Sequence, residues 1–345
     1  MNMTKKIEGN IVKWGILGVG DVCEVKSAPA MQLIKDSKLV AVMRRTGEKA
    51  KDFAQRHQVP KWYDTADDLI NDPDVNAIYI ATPPNAHEEL TLKAAKAGKP
   101  VYVEKPMARS YAECNRMIAA CNAADVPLYI AYYRRSLPHF LKLKSLVESG
   151  IIGEVQLVKI ELYKTNTPDI LSKKAGISAV NWRVDPRISG GGYFYDLASH
   201  QLDYLDYLFG PIQSVVGIAN NQGKLYSAAD IVTSTFTFDS GVQGIGSWCF
   251  TVDEAAQKDE LTLIGTEGKL SMPIFREAKI TMEKSGSKGK QEFQFDLPKH
   301  IQQPLITTIV DDLLGRGACP STGLSAARTN WVMEEMTKNY YTGKS

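Results

Sequence analysis

The sequence predicts an α/β domain built on a doubly wound parallel sheet, followed by an α+β domain with a large open, mostly antiparallel sheet flanked by helices. Three observations predict this. Residues 11–131 alternate short, almost wholly apolar runs with amphipathic stretches, the pattern of strands buried on both faces beneath crossover helices. From about residue 150 onward, the strand-like runs lengthen and alternate apolar with polar residues, as when only one face of a sheet is covered. The length of 345 residues suffices for two domains at ~150 residues each. The expected division is 1–133 and 134–345, with the C-terminal helix packing back toward the first part.

The elements follow in order. Residues 11–17 (IVKWGIL) read as the opening strand and 38–43 (KLVAVM) as the next. The runs 77–81 (AIYIA), 100–103 (PVYV) and 126–131 (VPLYIA) extend the series, with helices expected at 22–34, 48–57, 87–97 and 111–124. Right-handed crossovers join such strands. In the second part, strands are expected at 154–163 (EVQLVKIELY), 231–238 (IVTSTFTF), 242–250 (VQGIGSWCF), 260–264, 269–272 and 291–295. Asp239, Ser240 and Gly241 supply a hairpin turn, and 284–290 (KSGSKGK) reads as an exposed hairpin tip. Helices return at 196–208, 304–314 and 324–341.

Composition narrows the class. The formal net charge of +2 lacks the basic surplus of a nucleic-acid or membrane-surface protein. An apolar share of 44% and a charged share of 23% are those of an ordinary globular chain. The opening residues carry two lysines with no apolar run behind them, and no stretch approaches the ~18 apolar residues of a membrane span. Cys23, Cys114, Cys121, Cys249 and Cys319 are scattered and none forms a CxxC pair, so no metal site is expected and a cytoplasmic protein is the simplest reading. Residues 1–150 hold 22 basic and 17 acidic side chains, against 19 and 22 in the remainder. A phosphorylated ligand of the first part would account for that asymmetry.

Gly18 and Gly20 stand directly after the opening strand, with Asp21 and Val22 leading into a helix. The first glycine permits the tight turn and the second lets backbone approach a pyrophosphate at the helix start. Cys23 occupies the third fingerprint position, where glycine or alanine is usual. At the end of the second strand, an NAD-type site carries a carboxylate for the ribose 2′-hydroxyl. Here the chain reads Arg44, Arg45, Thr46. A guanidinium suits a 2′-phosphate through paired charge-assisted hydrogen bonds, so NADP(H) is expected, with NAD the alternative. The plain alternative for the arginines is a solvated surface pair.

Asp196 and His200 are four residues apart on an expected helix and share a face; a carboxylate beside an imidazole can move a proton for an alcohol or carbonyl. Lys105 lies just past a strand's carboxyl end, where ligands of open α/β sheets bind, and an ammonium there can steady alkoxide charge. The plain alternatives are a helix-surface pair and an interdomain salt bridge. Three segments then carry a resemblance: Ala81-Thr82-Pro83-Pro84-Asn85-Ala86-His87; Gly98-Lys99-Pro100-Val101-Tyr102-Val103-Glu104-Lys105-Pro106; and Gly190-Gly191-Gly192 followed by Asp196, His200 and Asp203. With the glycine turn, they make the chain similar to the Gfo/Idh/MocA family (glucose–fructose oxidoreductase, inositol dehydrogenase and rhizopine-catabolism proteins), from Val12 to about Tyr341.

The resemblance implies a Rossmann first domain, with Lys105 and His200 as catalytic pair and Asp196 orienting the imidazole or binding a substrate hydroxyl. It implies that Thr82, Pro83, Asn85 and His87 line the nicotinamide side with Glu104 nearby, and that Lys105–Pro106 is cis. Tyr133 would face the substrate, and Trp182 and Arg183 match a segment that closes over it; for Trp182 ordinary core packing is the alternative. The activity so implied is NADP(H)-dependent hydride transfer at a CH–OH or carbonyl carbon of a sugar, polyol or related cyclic alcohol. A dinucleotide-sensing regulator and a dihydrodiol- or biliverdin-type reductase are the alternatives, Tyr193 and Tyr195 keeping a tyrosine acid/base in view. Nucleic acid and membrane are not expected as partners. A homodimer or homotetramer through the second sheet is expected, because an open sheet leaves an apolar face to cover.

Overall fold

A computed structural model describes residues 6–165, 181–286 and 289–342. Its contacts divide the chain into two compact units, Met1–Leu137 with Pro298–Ala327, and Pro138–Leu297 with Arg328–Ser345. The expected boundary at 133/134 therefore falls at 137/138. The segment Pro298–Ala327, expected in the second domain, groups with the first.

Among the described residues the first unit holds a six-stranded sheet of order β3-β2-β1-β4-β5-β6, every pair parallel. The strands are β1 Val12–Leu17, β2 Ser37–Met43, β3 Lys61–Tyr63, β4 Ala77–Ile80, β5 Val101–Val103 and β6 Leu128–Ile130. The order reverses beside β1, which pairs with β2 on one side and β4 on the other, so ligands of such a sheet meet the strand ends there. β4 and β5 are buried at every position, as their unbroken apolar runs require. β3 and the helix α3, Ala66–Asn71, were not expected: a three-residue edge strand with its side chains half-buried or exposed shows no apolar run.

The helix expected over 22–34 is two elements. Cys23–Ser27 is π-helical and α1 spans Ala28–Leu33. Pro29 explains the change, since it has no N–H and its ring crowds the carbonyl four residues back, that of Val25. His300 Nδ1 donates to the Val25 carbonyl at 2.7 Å. The helices α2 Gly47–Arg56, α4 His87–Lys96 and α5 Tyr111–Ala123 lie within a residue or so of expectation. Cys114 and Cys121 are both buried in α5 as free thiols. The segment beginning at Pro298 joins this unit by specific bonds rather than by periodicity: Tyr129 donates to Asp312 at 3.0 Å and Ser321 Oγ to the Ile130 carbonyl at 2.7 Å.

The second unit contains α6 Pro138–Glu148, the short α7 Pro186–Ser189, α8 Gly192–Phe209 and an eight-stranded sheet of order β14-β13-β12-β11-β7-β10-β9-β8 among the described residues. The strands are β7 Val155–Tyr163, β8 Ile212–Asn220, β9 Ile231–Phe238, β10 Gln243–Cys249, β11 Lys258–Gly265, β12 Gly268–Met272, β13 Lys279–Lys284 and β14 Gln291–Gln294. The sheet is antiparallel except where β10 runs parallel to β7. β8 and β13 were not expected; β8 sets polar Gln213 and Ser214 near its start and Gly217 near its centre, and its valines and second isoleucine are half-buried or exposed, so no inward alternation marks it. The β9–β10 hairpin turns at Gly241, whose φ of +86° suits glycine. β13 and β14 pair across the expected tip, of which residues 287–288 lie outside the described residues.

Alternation along β7 sends Val158, Ile160 and Leu162 inward, while Lys159 and Glu161 pair on the other face. On the inner face Trp248 Nε1 donates to Gln201 of α8 at 2.6 Å, and Phe194 meets Trp248 edge-on. The outer face leaves Val216 71% and Ile218 67% exposed, with Ile245 beside them. Two helices complete the described chain. α9, Gln303–Leu313, belongs to the first unit; α10, Gly323–Tyr341, contributes its first residues to the first unit and the rest to the second.

Candidate functional site

The turn after β1 is built to let a ligand close to backbone. Gly18 sits at φ +90°, and its N–H donates to the Met43 carbonyl at 2.9 Å, as does that of Val19 at 3.2 Å. A Cβ at Gly18 would stand 2.7 Å from Thr82 Cγ2, so the turn and the end of β4 touch through a missing side chain. At Gly20 a Cβ would meet nothing nearer than the Gly18 carbonyl at 4.0 Å, leaving open space over the turn. Asp21 is exposed and Val22 half-buried. Cys23 packs fully buried in the third fingerprint position, and burial pushes its thiol up to about 12, so it is a packing residue. The Thr82 hydroxyl is enclosed and makes no hydrogen bond among the described residues.

At the end of β2, Arg44 is half-buried and lies back across the turn, Nη1 donating to the Val19 carbonyl at 3.2 Å. Arg45 and Thr46 are exposed. Thr46 is the N-cap of α2, yet its side chain makes no capping bond. Arg44 and Arg45 and the start of α2 therefore follow the end of β2, where a carboxylate would stand in an NAD-type site.

Beyond β4, Pro83 is half-buried and Asn85 exposed. His87 is fully buried, with Nε2 2.8 Å from the Thr82 carbonyl and Nδ1 3.1 Å from that of Met107. Burial lowers its pKa against the pull of those two carbonyls. His87, expected along the nicotinamide side, holds its ring between the backbone at Thr82 and Met107, and as a neutral imidazole donates to one of those two carbonyls.

Glu104 and Lys105 follow β5, and Lys105–Pro106 is cis. Glu104 is 7% exposed. Its Oε1 accepts from Tyr79 Oη and from Gln302 Nε2, each at 2.6 Å, and its Oε2 accepts the Lys105 backbone N–H at 3.1 Å. Glu104, expected beside the nicotinamide, is thus tied to the Lys105 backbone. Tyr133 is buried with the Arg134 guanidinium 5.1 Å from its ring centre. Burial pushes the Tyr133 phenol up, but the charges of Arg134, Lys26 and Lys105 outweigh it and bring its pKa below the usual tyrosine value. Lys26, Tyr79, Tyr102 and Gln302 had no signal in the sequence, because nothing local marks a contact spanning as much as 223 residues.

In the second unit, Asp196 and His200 ride one face of α8, a turn apart. The helix can start at Gly192 because φ there is +71° and a Cβ would stand 2.4 Å from that of Ala228. Asp196 faces Arg183 at 3.8 Å, and the Arg183 guanidinium lies 4.5 Å from the Trp182 ring centre. Asn181 caps that turn, its Oδ1 accepting from the Arg183 N–H at 3.1 Å, while its Nδ2 donates to Tyr193 Oη at 3.4 Å. His200 is 4% exposed, edge-on to Phe275. Tyr195 is buried with its hydroxyl 3.4 Å from Thr337 Oγ1, whereas Tyr193 is half-buried. No cluster of metal-ligating side chains occurs among the described residues, and no helix among them is long and apolar enough to cross a membrane.

Comparison with known proteins follows the same two parts. Residues 12–132 match an oxidoreductase family with an NAD-binding Rossmann fold (GFO_IDH_MocA), and residues 140–271 match the GFO/IDH/MocA C-terminal domain. Oxidoreductase P35 of Formosa agariphila is 39% identical over 323 residues, 94% of this chain and 97% of that protein. A trans-1,2-dihydrobenzene-1,2-diol dehydrogenase of Xenopus laevis is 27% identical, covering 85% of this chain and 83% of its own. A myo-inositol 2-dehydrogenase of Thermotoga maritima is 26% identical, covering 83% of each. A levoglucosan dehydrogenase solved with NADH and levoglucosan shares the fold, with a TM-score of 0.84 at 19% identity over 96% of this chain and 97% of that one.

Proposed function

The chain belongs to the Gfo/Idh/MocA family of NAD(P)-dependent oxidoreductases, and from that premise we propose that it transfers a hydride between NADP(H) and the CH–OH or carbonyl carbon of a sugar, polyol or related cyclic alcohol. The observation that carries the cofactor choice is the end of β2, with Arg44 laid across the glycine turn and Arg45 and Thr46 exposed beside the start of α2. The residues present fit a dinucleotide: open space over Gly20, close backbone at Gly18 and an enclosed Thr82 hydroxyl without a partner among the described residues. When bound, the nicotinamide supplies the hydride acceptor or donor.

The protein's own part is to hold groups and move a proton. Gly18, Gly20, Asp21 and Val22 receive the pyrophosphate, and Arg44, Arg45 and Thr46 the 2′-phosphate. Thr82, Pro83 and Asn85 line the nicotinamide side. Lys105 donates hydrogen bonds to the substrate oxygen and steadies the charge that develops on it. His200 takes the hydroxyl proton in oxidation and returns it in reduction, with Asp196 holding the imidazole or a neighbouring substrate hydroxyl. Tyr133, Trp182 and Arg183 contact the substrate.

The inositol and dihydrodiol relatives and the levoglucosan enzyme all act on cyclic alcohols or diols, which supports the class without choosing within it. A tyrosine acid/base is the second reading. Tyr193 carries it, because Tyr195 is turned to Thr337. Self-association through the open sheet face at Val216, Ile218 and Ile245 accompanies the proposal, giving a homodimer or homotetramer whose mass sedimentation would measure. A fluorescence screen of NADPH oxidation and NADP⁺ reduction across sugars, polyols and dihydrodiols tests the activity. Tight dinucleotide binding with no turnover on any of them would instead mark a sensor.

A further inference from the structure

The β5 exit carries a polar cluster that the cofactor and substrate assignments leave unused. Tyr79 and Tyr102 project from neighbouring strands with rings stacked at 4.7 Å. Both are fully buried, as is Gln302 from the segment that begins at Pro298. Each polar atom has a defined task. A carboxylate can only accept, so Gln302 must turn its amide nitrogen to Glu104, at 2.6 Å. Its amide oxygen then faces Tyr102 Oη at 3.3 Å. Tyr79 has one proton, and the 2.6 Å contact to Glu104 takes it, leaving its 3.5 Å approach to Gln302 secondary. With two donors fixing Oε1, the carboxylate plane is set and Oε2 is aimed at the Lys105 N–H.

We propose that Gln302 is a positioning residue for Lys105, acting through the Glu104 carboxylate that it holds against the Lys105 backbone. The proposal rests on the assignment of Lys105 to catalysis made above. Removing the Gln302 amide frees one side of Glu104 and strands the Tyr102 hydroxyl; the carboxylate then rotates and the Lys105 peptide loses its anchor. A residue that merely filled space would lower stability without moving Lys105.

The test is a charge exchange. Gln302→Leu should cut kcat by up to about 100-fold while dinucleotide affinity changes little, because a small misplacement of a catalytic group costs rate rather than remote binding. Glu104→Gln alone should lose activity too, since its amide presents a donor to the Gln302 donor. The double variant Glu104→Gln with Gln302→Glu reverses the polarity of the contact between positions 104 and 302; Tyr79 Oη then accepts from the new amide and turns its own proton to the carboxylate at position 302 across its 3.5 Å approach, where Tyr102 still donates, so kcat should recover above both single variants. A second readout needs no substrate. In 15N-lysine-labelled protein, with the Lys105 resonance assigned through Lys105→Arg, the Lys105 amide proton should move upfield in Gln302→Leu and return in the double variant. Unchanged kcat with an unchanged Lys105 amide in Gln302→Leu overturns the proposal, as does a double variant no better than the poorer single. Should Gln302→Leu not fold, Gln302→Met, of similar length and without a hydrogen-bond donor, replaces it under the same criteria. A parent protein that turns over no sugar, polyol or dihydrodiol defeats the functional reading alone, and the amide shift then decides the positioning role by itself.

Discussion

The two units arrange their functional groups by opposite means. In the first, Gly18, Arg44, Thr82 and Lys105 stand just beyond the carboxyl ends of β1, β2, β4 and β5, four strands in parallel register, so residues far apart in sequence arrive side by side because adjacent strands lie ~4.8 Å apart. In the second, Asp196 and His200 share one face of a single helix, and Trp182 and Arg183 come from an irregular turn. A cofactor held by strand ends and backbone is bound to the fold itself. A substrate held by side chains could change while the sheet stays the same.

That contrast can be put to measurement in four places. The largest effect belongs to the helix face: His200→Ala should lower kcat by about 10²–10⁴-fold and leave dinucleotide binding nearly intact, the usual span for loss of a general acid/base. Cofactor binding falling with it would show that the two units do not divide the work. Next, Arg44→Asp with Arg45→Ser should weaken NADPH by about 30-fold or more, the worth of one charge-assisted hydrogen bond at about 2 kcal/mol. NADH titrated alongside should lose far less, and equal losses would remove the 2′-phosphate assignment.

Smaller effects test the frame rather than the chemistry. Gly18→Ala forces a φ of +90° on an L residue and drives a Cβ against Thr82, costing about 1–3 kcal/mol of stability together with dinucleotide affinity. Thermal unfolding and a binding titration would read both, and a variant with the parent's melting temperature would contradict the tight turn. The smallest is Arg56→Ala. The Arg56 guanidinium beside Glu24 holds that carboxyl down at about 2. Glu24 is ionised more readily when folded, so the pair stabilises above the unfolded carboxyl pKa near 4.5 and that stability is lost as pH falls towards 2. Both side chains are substantially exposed, so the difference should stay below about 1 kcal/mol at pH 7 and vanish near pH 2. Denaturant melts at the two pH values would check it.

Legibility followed locality. Val12–Leu17 and Ile231–Phe238 announce themselves because a strand's periodicity is written in consecutive residues. Lys61–Tyr63 and Ile212–Asn220 do not, since one is three residues long and the other mixes polar, glycine and apolar positions. The π-helical turn could have been read from Pro29 standing four residues after Val25, had the missing N–H been followed back to its carbonyl. The candidate site residues came from motif spacing and from the family resemblance. Their bracing did not, because His87 reads the same whether its nitrogens meet a ligand or two backbone carbonyls.

What the sequence by itself determined is the kind of chain this is: an alternating first part with a glycine turn and arginines where a carboxylate could stand, then a strand-rich second part with a carboxylate and an imidazole a turn apart on one helix. Local periodicity, turn chemistry and side-chain charge suffice for that. Only the tertiary structure decided that Pro298–Ala327 returns to the first unit, that Gln302 reaches Glu104 across 198 residues, and that Tyr195 turns to Thr337 while Tyr193 does not. Those outcomes depend on which buried polar groups find partners once the sheets have closed. Satisfying a buried carboxylate or hydroxyl is a property of the assembled interior that no stretch of neighbouring residues carries.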